Sequence, residues 1–302
     1  MTITALRPAP AGPPNAETDL DTGSRWYIHP RTGERFISVT TVLSHIAKFG
    51  LPDWSARLAA SAAAERLPWL VRCSRNTPCN ASRTDNACGQ CLDCAVYWLS
   101  NRHNQLRVDA GDRGRRIHEA AEQFELFGEG FHIDEDIAPY VDQYMRWRRK
   151  YRPRFEASEM TVISRKWGYA GTLDGILRFP EDSPLPPKLR HLVSLPTVVD
   201  IKSGKHIGIP EGWQVVAYAK ADAVLMPDGT ELPMPEVQAG MILHLRLVED
   251  PKQPGRMVPR TQMREVHLTD ANHQRFIHML RVVEGLAEPL GTVLSRPVTT
   301  ED

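Results

Sequence analysis

The 302-residue chain lacks net charge, with 37 Lys and Arg against 37 Asp and Glu. It also lacks any apolar run near the ~18 residues that a membrane span requires. The alanine-rich stretch Leu58 to Ala64 is far too short. No basic segment followed by an apolar core opens the sequence, so no secretory signal is expected. Cysteine is absent outside one window, Cys73 to Cys94, and no internal repeat is visible. What is present is ordinary for a globular chain, 41% apolar and 25% charged. That excludes a wholly disordered protein, a collagen or a mucin.

The zero charge hides a segregated distribution. Glu119 to Asp142 holds eight acids and no Lys or Arg, whereas Arg146 to Lys166 holds eight bases and two acids. Such segregation gives either a local field or two solvated helix faces of opposite sign. In the basic stretch, Arg146, Arg148, Arg149, Lys150, Arg152 and Arg154 alternate with Trp147, Tyr151 and Phe155. That mixture suits phosphate contact with base stacking, and these six cations are the candidate DNA-binding residues.

The five cysteines are spaced C-x5-C-x8-C-x2-C-x2-C, at Cys73, Cys79, Cys88, Cys91 and Cys94. An odd, clustered set is a poor disulfide framework. Thiolates two residues apart converge readily on one soft metal ion, and the segment is too polar to fold by burial alone. The expectation is a knuckle over 73–94 with Cys79, Cys88, Cys91 and Cys94 as ligands and Cys73 as the alternative. The ion is zinc, or a 4Fe–4S cluster in its place. Reduced cysteines without metal are the plainer alternative.

Residues 1–23 read as a disordered tail and 291–302 as a second tail. Residues 24–108 hold a hairpin, Trp26 to Ile28 with Arg35 to Ile37, then helices ahead of and behind the knuckle. One helix is expected from Thr40 or Thr41 to Gly50, one from Asp53 to Arg66, and one from Leu92 to Arg107. A core follows over 109–290. It has helices at 109–127 and 136–151, strands at 159–164, 170–179 and 197–202, and a surface loop at 180–196. A helix at 212–225, strands at 240–248 and 263–268, and a helix at 272–286 complete it. Setting the second helix aside, the core order is α-β-β-β-α-β.

Asp174 lies in YAGTLDGIL, and Asp200 and Lys202 lie in TVVDIKSGK. Period-two alternation puts Asp200 and Lys202 on one strand face. An ordinary cross-strand salt bridge would account for the pair but not for a second carboxylate in the neighbouring strand. Two converging carboxylates form a hard-oxygen site suited to Mg²⁺ or Mn²⁺. A lysine beside them could orient water and offset charge on a phosphate. Gly114 and His118 share one helix face, with His118 either a metal ligand, a phosphate contact or simply structural. Gln214 and Tyr218 are also four apart, placed to contact phosphate or support Lys202, or else at an ordinary helix surface. Glu159 is either a further carboxylate of the site or a solvated one.

Taken in order, G-x3-H at Gly114 and His118, GTLDG around Asp174, VVDIKSGK, and Q-x3-Y at Gln214 and Tyr218 resemble the PD-(D/E)XK nucleases. The likeness runs over roughly residues 109 to 248. The branch they resemble is the RecB-type exonucleases, including CRISPR-adaptation nucleases and phage-encoded relatives. The resemblance implies an α/β restriction-endonuclease-like core, a mixed central sheet flanked by helices, and a metal-dependent DNA exonuclease. It implies His118, Asp174, Asp200 and the main-chain carbonyl of Ile201 as metal ligands. Lys202 would be the catalytic lysine, with Gln214 and Tyr218 completing the site. Relatives with an iron–sulfur cluster draw cysteines from both sides of the core, and here all five precede it. The implied partner is DNA with a free end, single-stranded or resected duplex, with a recombination protein as a further partner. The implied setting is a bacterial or phage-infected cytoplasm. Two other readings stay open: a non-catalytic DNA-binding adaptor and a sequence-specific endonuclease.

Overall fold

The computed structural model describes residues 16–19, 23–46, 51–76, 79, 88–128, 130–287 and 292. The chain divides into two compact units, residues 1–46 with 116–302, and residues 47–115. The N-terminal hairpin, expected to belong with the helices that follow it, folds instead with the sheet of the larger unit.

That hairpin begins with β1 (Ala16–Thr18) and continues as β2 (Arg25–Ile28) and β3 (Arg35–Ser38). Residues 16–18 are therefore a strand, inside a stretch expected to be disordered. The rest of that expected tail lies mostly outside the described residues, as does 293–302. Gly33, at φ 70, turns β2 into β3, a left-handed conformation that glycine adopts without a Cβ clash. Ser38 then caps α1 (Val39–Ser44), its side chain accepting from the Thr40 amide. This helix is shorter than the expected one, and residues 47–50 lie outside the described set.

The smaller unit holds α2 (Leu51–Glu65), α3 (Leu67–Cys73) and most of α4 (Leu92–Phe127). The two helices expected over 92–127 are one helix of 36 residues. The helix runs through Gly111 and Gly114, because a glycine costs a helix only about 1 kcal/mol, too little to end it.

After α4 come α5 (Ala138–Tyr151), β4 (Arg154–Ser164) and β5 (Tyr169–Arg178). The Pro-rich stretch 180–196 is not merely a surface loop. It forms a 3₁₀ turn at Pro187–Leu192 and buries Leu185, Leu189 and Leu192. Next are β6 (Thr197–Lys202) and α6 (Ile209–Ala219), which stops short of the expected Leu225. The chain there becomes a small hairpin, β7 (Ala223–Leu225) and β8 (Glu231–Pro233). The long antiparallel pair β9 (Ala239–Asp250) and β10 (Gln253–Val266) leads to α7 (Asp270–Leu286). β10, at 14 residues, is more than twice the expected length. Its exposed polar residues hide the apolar alternation that marks a strand in sequence.

All ten strands among the described residues join one mixed sheet, curled around β5 and flanked by helices. α1, α6 and α7 pack on one face, where Val215, Phe276 and Leu280 meet Val198 and Ile242. α5 and the end of α4 pack on the other, where Ile117, Tyr144 and Trp147 meet Val199, Ile201, Met241 and Leu243. The alternation in β6 explains this division. Val198 and Asp200 point one way, and Val199 and Ile201 point the other. β5 is antiparallel to β4 along one edge. On its other edge it pairs with β3 as far as Ala170 and with β6 only from Gly175. Residues 171–174 have no strand partner on that edge among the described residues, and this fork in the sheet holds the site.

Candidate active site

Asp174 sits at the fork, and its Oδ2 accepts the Ile201 amide at 2.5 Å. The carboxylate thus takes the hydrogen bond that a neighbouring strand would otherwise supply, which fixes its aim. His118, on the last part of α4, brings Nδ1 to 3.3 Å from Asp174 Oδ1. Glu159 stands across β4 from Asp174, because Ser158 pairs with Gly175 and Met160 with Leu173. His118, Glu159 and Asp174 each offer a ligand atom within 4.8 Å of the others. Glu159 has φ 48, a left-handed backbone that is costly for a residue with a side chain. Strain of this kind persists where the surroundings impose it, often at functional sites.

Asp200 is fully buried. Its Oδ1 accepts from Lys202 Nζ at 2.8 Å and from Gln214 Nε2 at 3.1 Å. Its Oδ2 lies 2.7 Å from the same ammonium, though off the hydrogen-bonding direction. Gln214 also donates to the Tyr218 hydroxyl at 3.1 Å. The helical spacing of Gln214 and Tyr218 therefore works as a brace for Asp200 rather than as an exposed surface pair. The ring of Tyr218 passes directly over Gly171, where a Cβ would stand 2.3 Å from Tyr218 Cε1. The first glycine of GTLDG is needed for this close approach.

The electrostatics show a surplus of negative charge. Burial, and then the charge of Asp174, push the Glu159 carboxyl up to about 8. Burial also raises Asp200, to about 6, with Asp174 adding to the rise and Lys202 opposing it. For Asp174, burial works upward, but His118, Lys202 and the Ile201 amide outweigh it and hold the carboxyl below its usual range. Burial would lower His118, yet Asp174 and Glu159 prevail and lift it to about 9. Three crowded carboxylates, two of them reluctant to ionise, are a donor set that a hard divalent cation would satisfy.

Sequence spacing brings out His118, Asp174, Asp200, Lys202, Gln214 and Tyr218, and the structure gathers all six. It leaves Asp200 outside the tight His118–Glu159–Asp174 group, turned toward Lys202. Glu159 is the residue that spacing alone leaves undecided. Its role shows only in the β4–β5 register, and an unusual backbone angle has no sequence signal.

No protein-family model matches this chain, and no curated protein matches it significantly. The site is therefore read from its own geometry.

The candidate DNA-binding cations are largely committed elsewhere. Arg148 binds Glu125 at 2.7 Å, Arg146 pairs with Asp142, and Arg152 reaches Asp182 at 2.8 Å. Lys150 lies over the Tyr151 ring, and Arg149 and Arg154 are exposed. Trp147 is buried in the core and not free to stack on a base. The acidic and basic stretches of the sequence thus partly neutralise one another in space.

In the smaller unit, Cys79, Cys88, Cys91 and Cys94 gather their sulfurs within 4.8 Å of one another, a cluster able to bind a metal. Cys79 and Cys94 are 3.4 Å apart, Cys88 and Cys94 3.6 Å, and Cys79 and Cys91 3.6 Å. Cys73 is excluded from the cluster. It ends α3, with its sulfur 3.7 Å from the Gly89 carbonyl. Backbone amides of Cys94 and Cys79 pull the Cys91 thiol down to about 6, whereas the neighbouring Cys79 thiol pushes Cys94 up to about 12. The Gln90 amide donates to Cys88 Sγ at 3.4 Å, an N–H···S contact that favours the thiolate.

Proposed function

We propose that the protein is a metal-dependent deoxyribonuclease on a PD-(D/E)XK-type core, hydrolysing phosphodiester bonds from a DNA end. The observation that carries this reading is the convergence of His118, Glu159, Asp174, Asp200 and Lys202 at the fork of the sheet. Four different elements bring them there, at a cost in burial and backbone strain that structure alone does not repay. An ordinary salt bridge would need only Asp200 and Lys202.

His118, Glu159, Asp174 and Asp200 would hold Mg²⁺ or Mn²⁺, with the Ile201 carbonyl as a further donor by resemblance. Such an ion, when bound, would lower the pKa of its bound water and polarise the phosphate. Ile201 NH and His118 fix the aim of Asp174. Gln214, braced by Tyr218, fixes Asp200. Asp200 in turn holds the Lys202 ammonium, which orients the attacking water and offsets charge gathering on the phosphate oxygens. His118 is about a quarter exposed and Asp174 about a tenth, so the cluster is open to a substrate from one side.

Within the smaller unit the four cysteines fit zinc. With Zn–S near 2.3 Å, a tetrahedral centre spaces its sulfurs about 3.8 Å apart, close to the separations seen here. In a 4Fe–4S cube each thiolate binds a different iron, which spreads the sulfurs well beyond this. The function belongs to DNA processing in a cytoplasm, such as recombination or repair.

The test is cleavage of end-labelled linear DNA and of supercoiled circular DNA, with Mg²⁺ or Mn²⁺ and with EDTA. Metal-dependent loss of the linear DNA alone supports an exonuclease. Cutting of the circle would make it an endonuclease, and binding without any cutting would make it an adaptor.

A further inference from the structure

β9 lies beside β6 in parallel register, with Lys202 opposite His244. Lateral neighbours in a sheet point to the same face, so His244 and Arg246 continue outward from Lys202. β10 extends the same row, since Gln262 pairs with His244 and Arg260 with Arg246. The intervening residues of β10 face the other way, where Thr261 meets Gln143 and Met263 meets Trp147 on α5. Arg260, Gln262 and Arg264 are therefore on the Lys202 face. α6 covers the start of β9, with Val215 against Gly240, and His244 is buried. Arg260 and Arg264 are exposed.

Three features set this row apart from ordinary surface charge. Arg246 and Arg260 face each other as a cross-strand pair of like charges, an arrangement that destabilises a sheet. No acid lies within ion-pairing distance of Arg246, Arg260 or Arg264 among the described residues, unlike Arg146 and Arg148 of α5. Glu249 and Glu265 face the other way, where Glu265 pairs with His191. Finally, Arg246 Nε is a buried donor without a partner among the described residues. Orphaned polar atoms are rare in folded proteins and call for an external partner.

We infer that this row on β9 and β10 is the track for the phosphate backbone of a DNA strand entering the site, with Arg246, Arg260 and Arg264 as its phosphate contacts. The direction toward the site rests on the nuclease reading, but the binding surface does not. A polyanion relieves the Arg246–Arg260 repulsion and supplies acceptors for the Arg246 guanidinium. His244 ties the track to the site, because its Nε2 lies 2.7 Å from the Gly204 carbonyl, two residues after Lys202.

The experiment measures anisotropy of a fluorescein-labelled oligothymidylate in Ca²⁺, with salt varied, for wild type, R246Q/R260Q/R264Q, K150Q/R154Q and K202A. At about 0.7 counterions per phosphate contact, the triple variant should lower the salt slope by about 2 and weaken binding roughly 30-fold. R246K/R260K/R264K, which keeps the charges, should recover most of the affinity and shows that any loss is not misfolding. K150Q/R154Q should change affinity less than about twofold. Unchanged affinity and slope in the triple variant would overturn the inference, as would an equal loss in K150Q/R154Q or a wild type that binds no DNA. K202A separates the two readings. If it binds normally yet cuts as fast as wild type in Mg²⁺, the nuclease assignment fails while the track stands.

Discussion

Replacing Gly171 by alanine places a methyl group where the Tyr218 ring now lies. The new Cβ would stand 2.3 Å from Cε1, 3.1 Å from Cζ and 3.2 Å from Cδ1. Tyr218 is 2% exposed on the buried side of α6, so the ring cannot swing freely into water. Overpacking of this kind costs about 1–3 kcal/mol. At about 2–4 °C per kcal/mol for a domain of this size, the melting temperature should fall by roughly 3–10 °C. The functional effect should be larger than the thermal one. Moving Tyr218 frees Gln214, and Gln214 then releases Asp200. A displacement near 1 Å in a positioning network can cost roughly 10²-fold in rate. The measurements are a thermal melt and a cleavage time course on linear DNA at saturating Mg²⁺. Tyr218→Leu removes the obstructing ring atoms, so G171A added to Y218L should cost far less stability than G171A alone. That non-additivity should reach about 0.5–3 kcal/mol. A Gly171→Ala variant that melts and cuts like wild type would refute the contact and the chain from Tyr218 to Asp200.

Glu159→Gln should raise the Mg²⁺ or Mn²⁺ concentration needed for half-maximal cleavage by about 10–100-fold, as loss of groups around a metal typically does; a solvated carboxylate would leave that titration unmoved. Cys91→Ser should abolish bound zinc, measured by elemental analysis, whereas Cys73→Ser should leave one zinc per chain. A brown protein carrying iron and sulfide would contradict the zinc assignment. Arg148→Met removes the charged partner of Glu125, which is 12% exposed and keeps only the Tyr144 hydroxyl, and should destabilise by about 1–3 kcal/mol in a denaturant titration, without weakening DNA binding.

Much of the site was legible because its residues obey simple periods. Asp200 and Lys202 share a strand face at period two, and Gln214 and Tyr218 share a helix face at spacing four. Cys88, Cys91 and Cys94 announce by spacing a cluster able to bind a metal, but whether Cys73 or Cys79 joins them depends on where α3 ends. Glu159 is harder, since its meaning comes from the pairing of β4 with β5 and from a backbone angle. The cationic track was invisible for a similar reason. Arg246, Arg260 and Arg264 are scattered in sequence and align only when β9 and β10 pair. Conversely, the run Arg146 to Arg154 reads as unpaired charge in sequence partly because two of its acidic partners, Glu125 and Asp182, lie about two to three dozen residues away. Composition shows charge, but only the fold shows which charges are already paired.

The central claim is that Lys202 and the carboxylates around it cleave DNA with a divalent metal. The most direct measurement compares wild type and Lys202→Ala on linear DNA in Mg²⁺, at matched DNA occupancy. Loss of a positioned charge at a developing phosphoryl transition state should slow cleavage by about 10²–10³-fold with DNA affinity kept. Equal rates for the two proteins would contradict the account.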